Sequence, residues 1–474
     1  MWALSSPQDT AFNFQRQAKK GGSLRPPPGG GYFIRLISRE QKLLEKRGGR
    51  GYSGVMRKGK KTEGEKRLVG KLSRALGGSA PGRKLRTIKN RLFLPAFLKA
   101  MKRLKIGGLS GGNRLTLLSD GDRCFDEFLR AMKRARLSIN LETYIFNSDD
   151  LGWRIARLLV EKARQGVEVN FIYDAVGCLG TSPSLFAFLK EGGVEVIEYH
   201  PFWPWRRFWN ISFRDHRKIL VVDGRIAFVG GMNIGLEYAG RRFRGDRWRD
   251  THLKITGPAV RDIQFNFLEN WYRCGGAVMD SGRHFPRLRE LGNKLVMVLG
   301  SRTRRNLRPI RESYLSAIRY ARESIWISNA YFVPDRRIFR ALIRAAARGV
   351  DVRVLLPGKS DVPLVKFASR YLYKRYLKGG IRVCEYQPSV LHAKTAVIDG
   401  IWSTVGSSNL DRRSFRKNLE INAVVLDQEF GEEMERVFLE DLDGSEELTL
   451  EHWEKRSLWH LLLEWICYRF RNLL

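Results

Sequence analysis

The chain has 474 residues, with 86 Lys/Arg against 49 Asp/Glu, a formal net charge of +37, 43% hydrophobic and 11% aromatic residues. That length exceeds one ordinary hydrophobic core, so two domains or two fused halves are expected, and the apolar content excludes a wholly disordered chain. The charge favours a polyanionic partner, either nucleic acid or an anionic membrane surface, and does not by itself choose between them.

No run of 18 or more apolar residues occurs, so no bilayer-spanning helix is expected. The first residues, MWALSSPQDTAFNFQ, lack the charged start and apolar core of a secretory signal. The five cysteines, Cys124, Cys178, Cys274, Cys384 and Cys467, are scattered and odd in number, which predicts free thiols in a reducing environment.

Residues 1–110 are expected to be a basic, largely unstructured extension, with 27 Lys/Arg and 5 Asp/Glu. It reads either as a polyanion-binding arm or as a solvated tail. Within it, 91–106 (RLFLPAFLKAMKRLKI) mixes apolar and basic residues at helical spacing, a pattern suited to a membrane surface. From Gly112 the pattern becomes α/β and then repeats. FDEFLRAMKRA, LSINLETYIF, WRIARLLVEKARQG, VEVNFIYDA, a helix ending LKEGG and VEVIEY come first. YLSAIRYARE, SIWISNAYF, IFRALIRAAARG, VDVRVLLPG, RYLYKRYLKGG and IRVCEY follow in the same order. Helices alternating with β-branched runs predict sheets flanked by helices. The expected divisions are therefore 1–110, a first half over 111–285, a second over 286–445, and an amphipathic C-terminal segment over 446–474.

Each half reaches the same segment. HRKILVVDGRIAFVGGMN runs from His216 to Asn233, and HAKTAVIDGIWSTVGSSN from His392 to Asn409, both reading H-x-K-x(4)-D-x(6)-G-[GS]-x-N. Strand alternation places His216 with Lys218, and His392 with Lys394, on one face. Asp223-Gly224 and Asp399-Gly400 are hairpin-turn signals, so these two motif aspartates are expected to be structural although they belong to the candidate catalytic set. The returning strands are expected to bring Asn233 and Asn409 back beside the histidines. Two imidazoles, two cations and two amides suit a phosphodiester. Lysines and asparagines stabilise the charge that builds on phosphorus, one histidine attacks, and the other transfers protons. No metal and no cofactor are expected.

This repeated motif is the signature of the phospholipase D superfamily, which the sequence strongly resembles. The resemblance implies an α/β fold of two pseudo-twofold-related α/β/α halves with the active site at their interface. It also implies orienting carboxylates on a strand after each motif, at Asp250 and Glu420, a place near the site for Glu142, and His216 as nucleophile. ETYIFNSDDLG, IEYHPF, FVGGMN, NAYFVPD, KGGIRVCEY, LHAK and VGSSNLDRRS resemble the bacterial cardiolipin synthases, in particular the B type without transmembrane helices, over roughly 112–440. That likeness implies transfer of a phosphatidyl group between two phosphatidylglycerols, giving cardiolipin and glycerol, with phosphatidylethanolamine as another donor. The alternatives are a phospholipase D hydrolase, transfer to a small alcohol, and, less favoured, a nuclease. It implies a peripheral enzyme on the cytoplasmic face of the cell membrane, with an anionic phospholipid surface as partner and no nucleic acid. HPFWPWRRFWNISFR (200–214) reads as a headgroup-level anchor or a buried aromatic loop, and SLWHLLLEWICYRFRNLL (457–474) as an interfacial stretch or a docked helix.

Overall fold

In a computed structural model, the described residues are 93–104, 106–201, 213–301 and 308–470. The aromatic stretch expected to anchor or pack near the first motif falls mostly at 202–212, outside the described residues, as does the basic extension up to residue 92.

The first half supplies β1 (Leu109–Leu118), β2 (Ser138–Thr143), β3 (Glu168–Asp174), β4 (Glu195–Tyr199), β5 (Ile219–Val222), β6 (Ile226–Gly230) and β7 (His252–Thr256). The second supplies β8 (Lys294–Gly300), β9 (Ser324–Asn329), β10 (Asp351–Lys359), β11 (Arg382–Val390), β12 (Lys394–Ile398), β13 (Trp402–Gly406), β14 (Ile421–Leu426) and β15 (Ser445–Leu448). They form one 15-stranded sheet in the order β15-β11-β10-β9-β12-β13-β14-β8-β1-β7-β6-β5-β2-β3-β4. Leaving out β15, the order is the same read outward from the centre in either direction. The pseudo-twofold therefore passes between β1 and β8, which pair antiparallel with a register shift between Ser110 and Asn113.

In each half three strands are parallel, β2-β3-β4 and β9-β10-β11, and the others antiparallel. Parallel strands need crossover helices, and 150–164, 183–191 and 336–346 are among them. Helices 121–133, 150–164 and 183–191 pack one face of the first half's sheet around Phe125, Phe146 and Leu159. Helix 260–273 lies in a second core, which draws Leu253 and Phe267 from the first half and Val405, Ala423 and Phe430 from the second. The halves thus share a hydrophobic layer. The fold is mixed α/β with two related halves.

Three details differ from the sequence reading. Order begins before residue 110: residues 93–103 are helical, with Phe93, Phe97 and Met101 buried and Phe97 edge-on to Trp402 at 6.4 Å. The apolar residues suited to a membrane surface are instead buried, Phe97 against Trp402 of the second half. The joining strands β1 and β8 did not stand out, because β1 opens on the glycine-rich LSGGNR. The segment RYLYKRYLKGG is split between helices 363–370 and 373–378.

Both Asp-Gly hairpins take the expected left-handed turn. Asp223 and Gly224 have φ of 53° and 61°, and Asp399 and Gly400 53° and 62°. The aspartate side chains reach across to the start of the neighbouring strand. Asp223 accepts from the backbone N–H of Arg136, Leu137 and Ser138, and Asp399 from those of Arg322, Glu323 and Ser324, the latter at 2.8–3.2 Å. Replacing Asp399 by Ala leaves three donors without their acceptor beside a buried turn. The expected cost is about 2–4 kcal/mol, measured by urea denaturation; a change below about 0.5 kcal/mol would contradict this role.

Candidate functional site

The two motifs enter at the carboxyl ends of the parallel strands, where ligands commonly bind in α/β sheets. His216 and Lys218 precede β5, and His392 precedes β12. At the histidines the backbone has left its own ladder and pairs with the other half. His216 N–H donates to the Leu419 carbonyl at 3.0 Å and Leu419 N–H to that of Arg214 at 2.9 Å. In mirror fashion, His392 N–H donates to the Arg249 carbonyl and Arg249 N–H to that of Val390, both at 2.8 Å.

These bridges place each carboxylate against the histidine of the opposite half. His216 Nδ1 lies 3.1 Å from Glu420 Oε2 and 3.1 Å from the Ser407 carbonyl oxygen. His392 Nδ1 lies 2.7 Å from Asp250 Oδ2. A carbonyl oxygen only accepts, so His216 carries its proton on Nδ1 and leaves the Nε2 lone pair available. All four side chains are buried. The resemblance supplied the two carboxylates, but linear order did not reveal that they are exchanged.

The two pairs are not equivalent. Glu420 also accepts from Ser407 Oγ at 2.5 Å and Asn418 Nδ2 at 3.3 Å, and burial pushes its carboxyl up to about 8. Burial likewise tends to raise Asp250, but the charges of His392 and Lys394 outweigh it and hold it below the usual carboxylate value. His216 is driven well below the ordinary histidine value, by burial first and then by Lys218 and Lys394. His392 is also lowered by burial and Lys394, against an opposing pull from Asp250. The two sites also differ at the glycine-or-serine position of the motif, although the Ser407 contact lowers Glu420 against the larger effect of burial. A Cβ on Gly231 would stand 2.2 Å from Asp250 Oδ1, whereas its counterpart Ser407 is a hydrogen-bond donor to Glu420.

Lys218 Nζ donates to the His216 carbonyl at 2.8 Å, and Lys394 Nζ to that of His392. Burial brings Lys218 down to about 7, with Lys394 adding repulsion, and Lys394 down to about 8. The amide oxygens of Asn233 and Asn409 accept from the N–H of Ile145 and Tyr331. Asn233 Nδ2 donates to the Tyr238 hydroxyl at 2.6 Å. Tyr238 in turn packs edge-on to His392, 5.3 Å away.

Glu142 is set apart from the histidines. It binds Arg217 at 2.8 Å and Asn270 Nδ2 at 2.9 Å, on the far side of the strand from Lys218. Asp215 joins this buried network through Arg217 and Asn270. Burial raises Glu142 well above the usual carboxylate value despite Arg217. Asp223 and Asp399 stay at their turns, holding backbone.

Sequence reasoning missed the aromatic wall. Tyr144 lies edge-on to His216 at 5.1 Å with Lys218 Nζ over its ring at 5.2 Å, and Trp248 and Tyr331 stand 6.1 and 6.3 Å from His392. Tyr144 follows β2 directly and Tyr331 lies two residues past β9, so an aromatic just after each repeated strand, at positions offset by one, was the available signal.

Two imidazoles backed by exchanged carboxylates and flanked by buried lysines define a phospholipase D-like protein. Residues 128–243 and 314–442 match the family described as cardiolipin synthase, PLD-like domain. The chain is 38% identical over 353 residues to a cardiolipin synthase of Geobacillus kaustophilus, covering 73% of this chain and 70% of that one. It is 36% identical over 371 residues to cardiolipin synthase 1 of Bacillus cereus, covering 76% and 73%. The chain belongs to the cardiolipin synthase family. In fold it is similar to the crystal structure of a phosphatidylserine synthase from Haemophilus influenzae, with TM-score 0.58 and 14% identity over 80% of this chain and 97% of that one.

The exchange makes a crossed prediction for ring resonances in ¹⁵N-histidine NMR. Glu420→Gln should shift His216 and leave His392 nearly unchanged, and Asp250→Asn should do the reverse. Shifts that follow chain order, Asp250 with His216, would contradict the pairing.

Proposed function

We propose that this protein is a cardiolipin synthase that transfers a phosphatidyl group through a phosphohistidine on His216. The observation that carries this reading is the unequal setting of the two rings: His216 Nδ1 lies 3.1 Å from both the Ser407 carbonyl and Glu420, and His392 Nδ1 lies 2.7 Å from Asp250. His216 Nε2 attacks phosphorus, the bond from phosphorus to the headgroup oxygen breaks, and His392 gives its proton to the departing glycerol alkoxide. A hydroxyl of a second phosphatidylglycerol then loses its proton to His392 and attacks. The P–N bond breaks, and cardiolipin leaves. Lys218 and Lys394 hold the nonbridging oxygens, where charge increases in the transition state. Asn233 and Asn409 support that cradle through the second N–H of each amide. Asp250 and Glu420 orient the rings, and Glu142 fixes the His216 segment from behind through Arg217.

The aromatic wall favours transfer over hydrolysis, since a lipid alcohol must be held while water is kept away. Phosphatidylglycerol is the proposed donor and acceptor, with phosphatidylethanolamine as a second donor. Among the described residues no helix is long and apolar enough to cross a membrane. A peripheral place on the cytoplasmic face, against anionic lipid, accords with that and with the +37 charge.

Incubation with phosphatidylglycerol vesicles, followed by mass spectrometry of the lipids, should yield cardiolipin and glycerol in equal amounts. Phosphatidic acid alone would identify a hydrolase instead. His216→Ala and His392→Ala should each lower turnover by at least about 10³-fold, and near-normal turnover in either would refute the two-histidine mechanism.

A further inference from the structure

Helix 458–469 packs in the reverse sense for a surface bathed by water. Its one acid, Glu464, is 1% exposed, and Cys467 is also buried. Leu458, Trp459 and Trp465 are 83%, 79% and 49% exposed, and Leu462, Ile466 and Phe470 are exposed with them. The polar side is fastened to helix 363–370. Glu464 pairs with Arg456 and, at 3.5 Å, with Arg370 Nε, and Tyr468 stacks on Tyr371 at 4.5 Å. Scattered surface hydrophobics are ordinary, but a contiguous apolar helical face marks a binding surface.

We propose that this face docks in the plane of an anionic phospholipid bilayer. Twelve residues of helix extend about 18 Å, too short to cross the ~30 Å hydrocarbon layer, so the helix lies along the interface. Charge complementarity selects the occupant. Residues 363–378 and 450–474 together carry nine Lys/Arg against three acids, Glu451, Glu454 and Glu464, each of which already pairs with a cation of the same patch, so the patch keeps a net positive charge. Lys374 and Lys378 on the adjoining helix share the single carboxylate of Glu454, at 2.9 and 3.7 Å. A second copy of this face would bring like charges together, whereas anionic headgroups neutralise them. Trp459 and Trp465 suit headgroup depth.

The docking face also adjoins the catalytic site. Helix 363–370 follows Asp361, which accepts a hydrogen bond from the Tyr331 hydroxyl, and the Tyr331 ring stands 6.3 Å from His392. Leu364, at the start of that helix, is itself exposed. Docking would therefore set the lipid plane beside the aromatic wall. The choice of a bilayer rests on the lipid-substrate reading above, and the test separates the two.

The full chain carrying Leu462→Ser, Trp465→Ser and Ile466→Ser is compared with the unaltered protein by co-sedimentation with vesicles of equal phosphatidylglycerol and phosphatidylcholine. Binding should weaken at least tenfold, while turnover of a monomeric short-chain phosphatidylglycerol and the melting temperature stay unchanged. Unaltered vesicle binding would overturn the proposal, as would a lipid-free dimer that the variant converts to monomer. If the variant fails to fold, Trp459→Cys carrying an environment-sensitive label decides. A blue shift on these vesicles supports docking, and unchanged emission overturns it. Vesicle binding lost in the variant, with no cardiolipin formed by the unaltered protein, would sink the synthase reading and leave docking standing. Cardiolipin formation with binding intact in the variant would do the opposite.

Discussion

His216 and His392 each lean on a carboxylate that belongs to the other half, and much of the structure follows from that exchange. Two lysines, two imidazoles and two carboxylates lie buried where the halves meet. Taking such charges out of water costs several kcal/mol per ion unless partners compensate. The backbone bridges between Asp215 and Leu419, and between Arg249 and Leu391, supply the geometry that makes compensation possible. The exchange requires the two half-sheets to meet at β1 and β8 and share one core layer. Neither half alone contains its motif histidine together with the carboxylate that holds it.

The compensation is incomplete, which fits the chemistry. Burial depresses both lysines to values near neutrality and raises Glu420 into the same range. A site in which cations repel one another and a carboxyl tends to protonate lacks negative charge. A phosphodiester supplies it, so binding the anion and restoring full charge to Lys218 and Lys394 are one event. Duplication built a symmetric frame, and small substitutions made it unequal. Gly231 leaves room for Asp250, while Ser407 donates to a longer Glu420. Arg217 and Glu142 brace the first motif, but Ala393 and Ser328 occupy the corresponding positions in the second.

The sequence displayed what is written in local periodicity. The repeated motif, the Asp-Gly turns and the alternation of helix and strand all have short-range signatures, and the structure contains them. Pairings between distant residues had no such signature. Nothing near His216 in the chain points to Glu420, 204 positions away. Strands β1 and β8 escaped notice because glycines mask the first, and because joining two halves leaves no local pattern. The helix at 93–103 has the composition of a membrane-surface segment, and only its contacts show that Trp402 and its neighbours cover it. Glu142 carried a family association, yet strand alternation turns it, with Arg217, away from the histidines. For 458–469 composition left two readings open, and only the contacts show Glu464 turned inward to Arg456 and Arg370 with apolar side chains outside.

The unequal pairs are the basis for proposing His216 as the nucleophile and His392 as the proton carrier. The direct test is to mix the His392→Ala protein with phosphatidylglycerol, quench in alkali, where phosphohistidine survives, and map the adduct by peptide mass spectrometry. The account predicts a phosphatidyl group on the peptide containing His216. An adduct absent there in His392→Ala but present on His392 in the His216→Ala protein would contradict it.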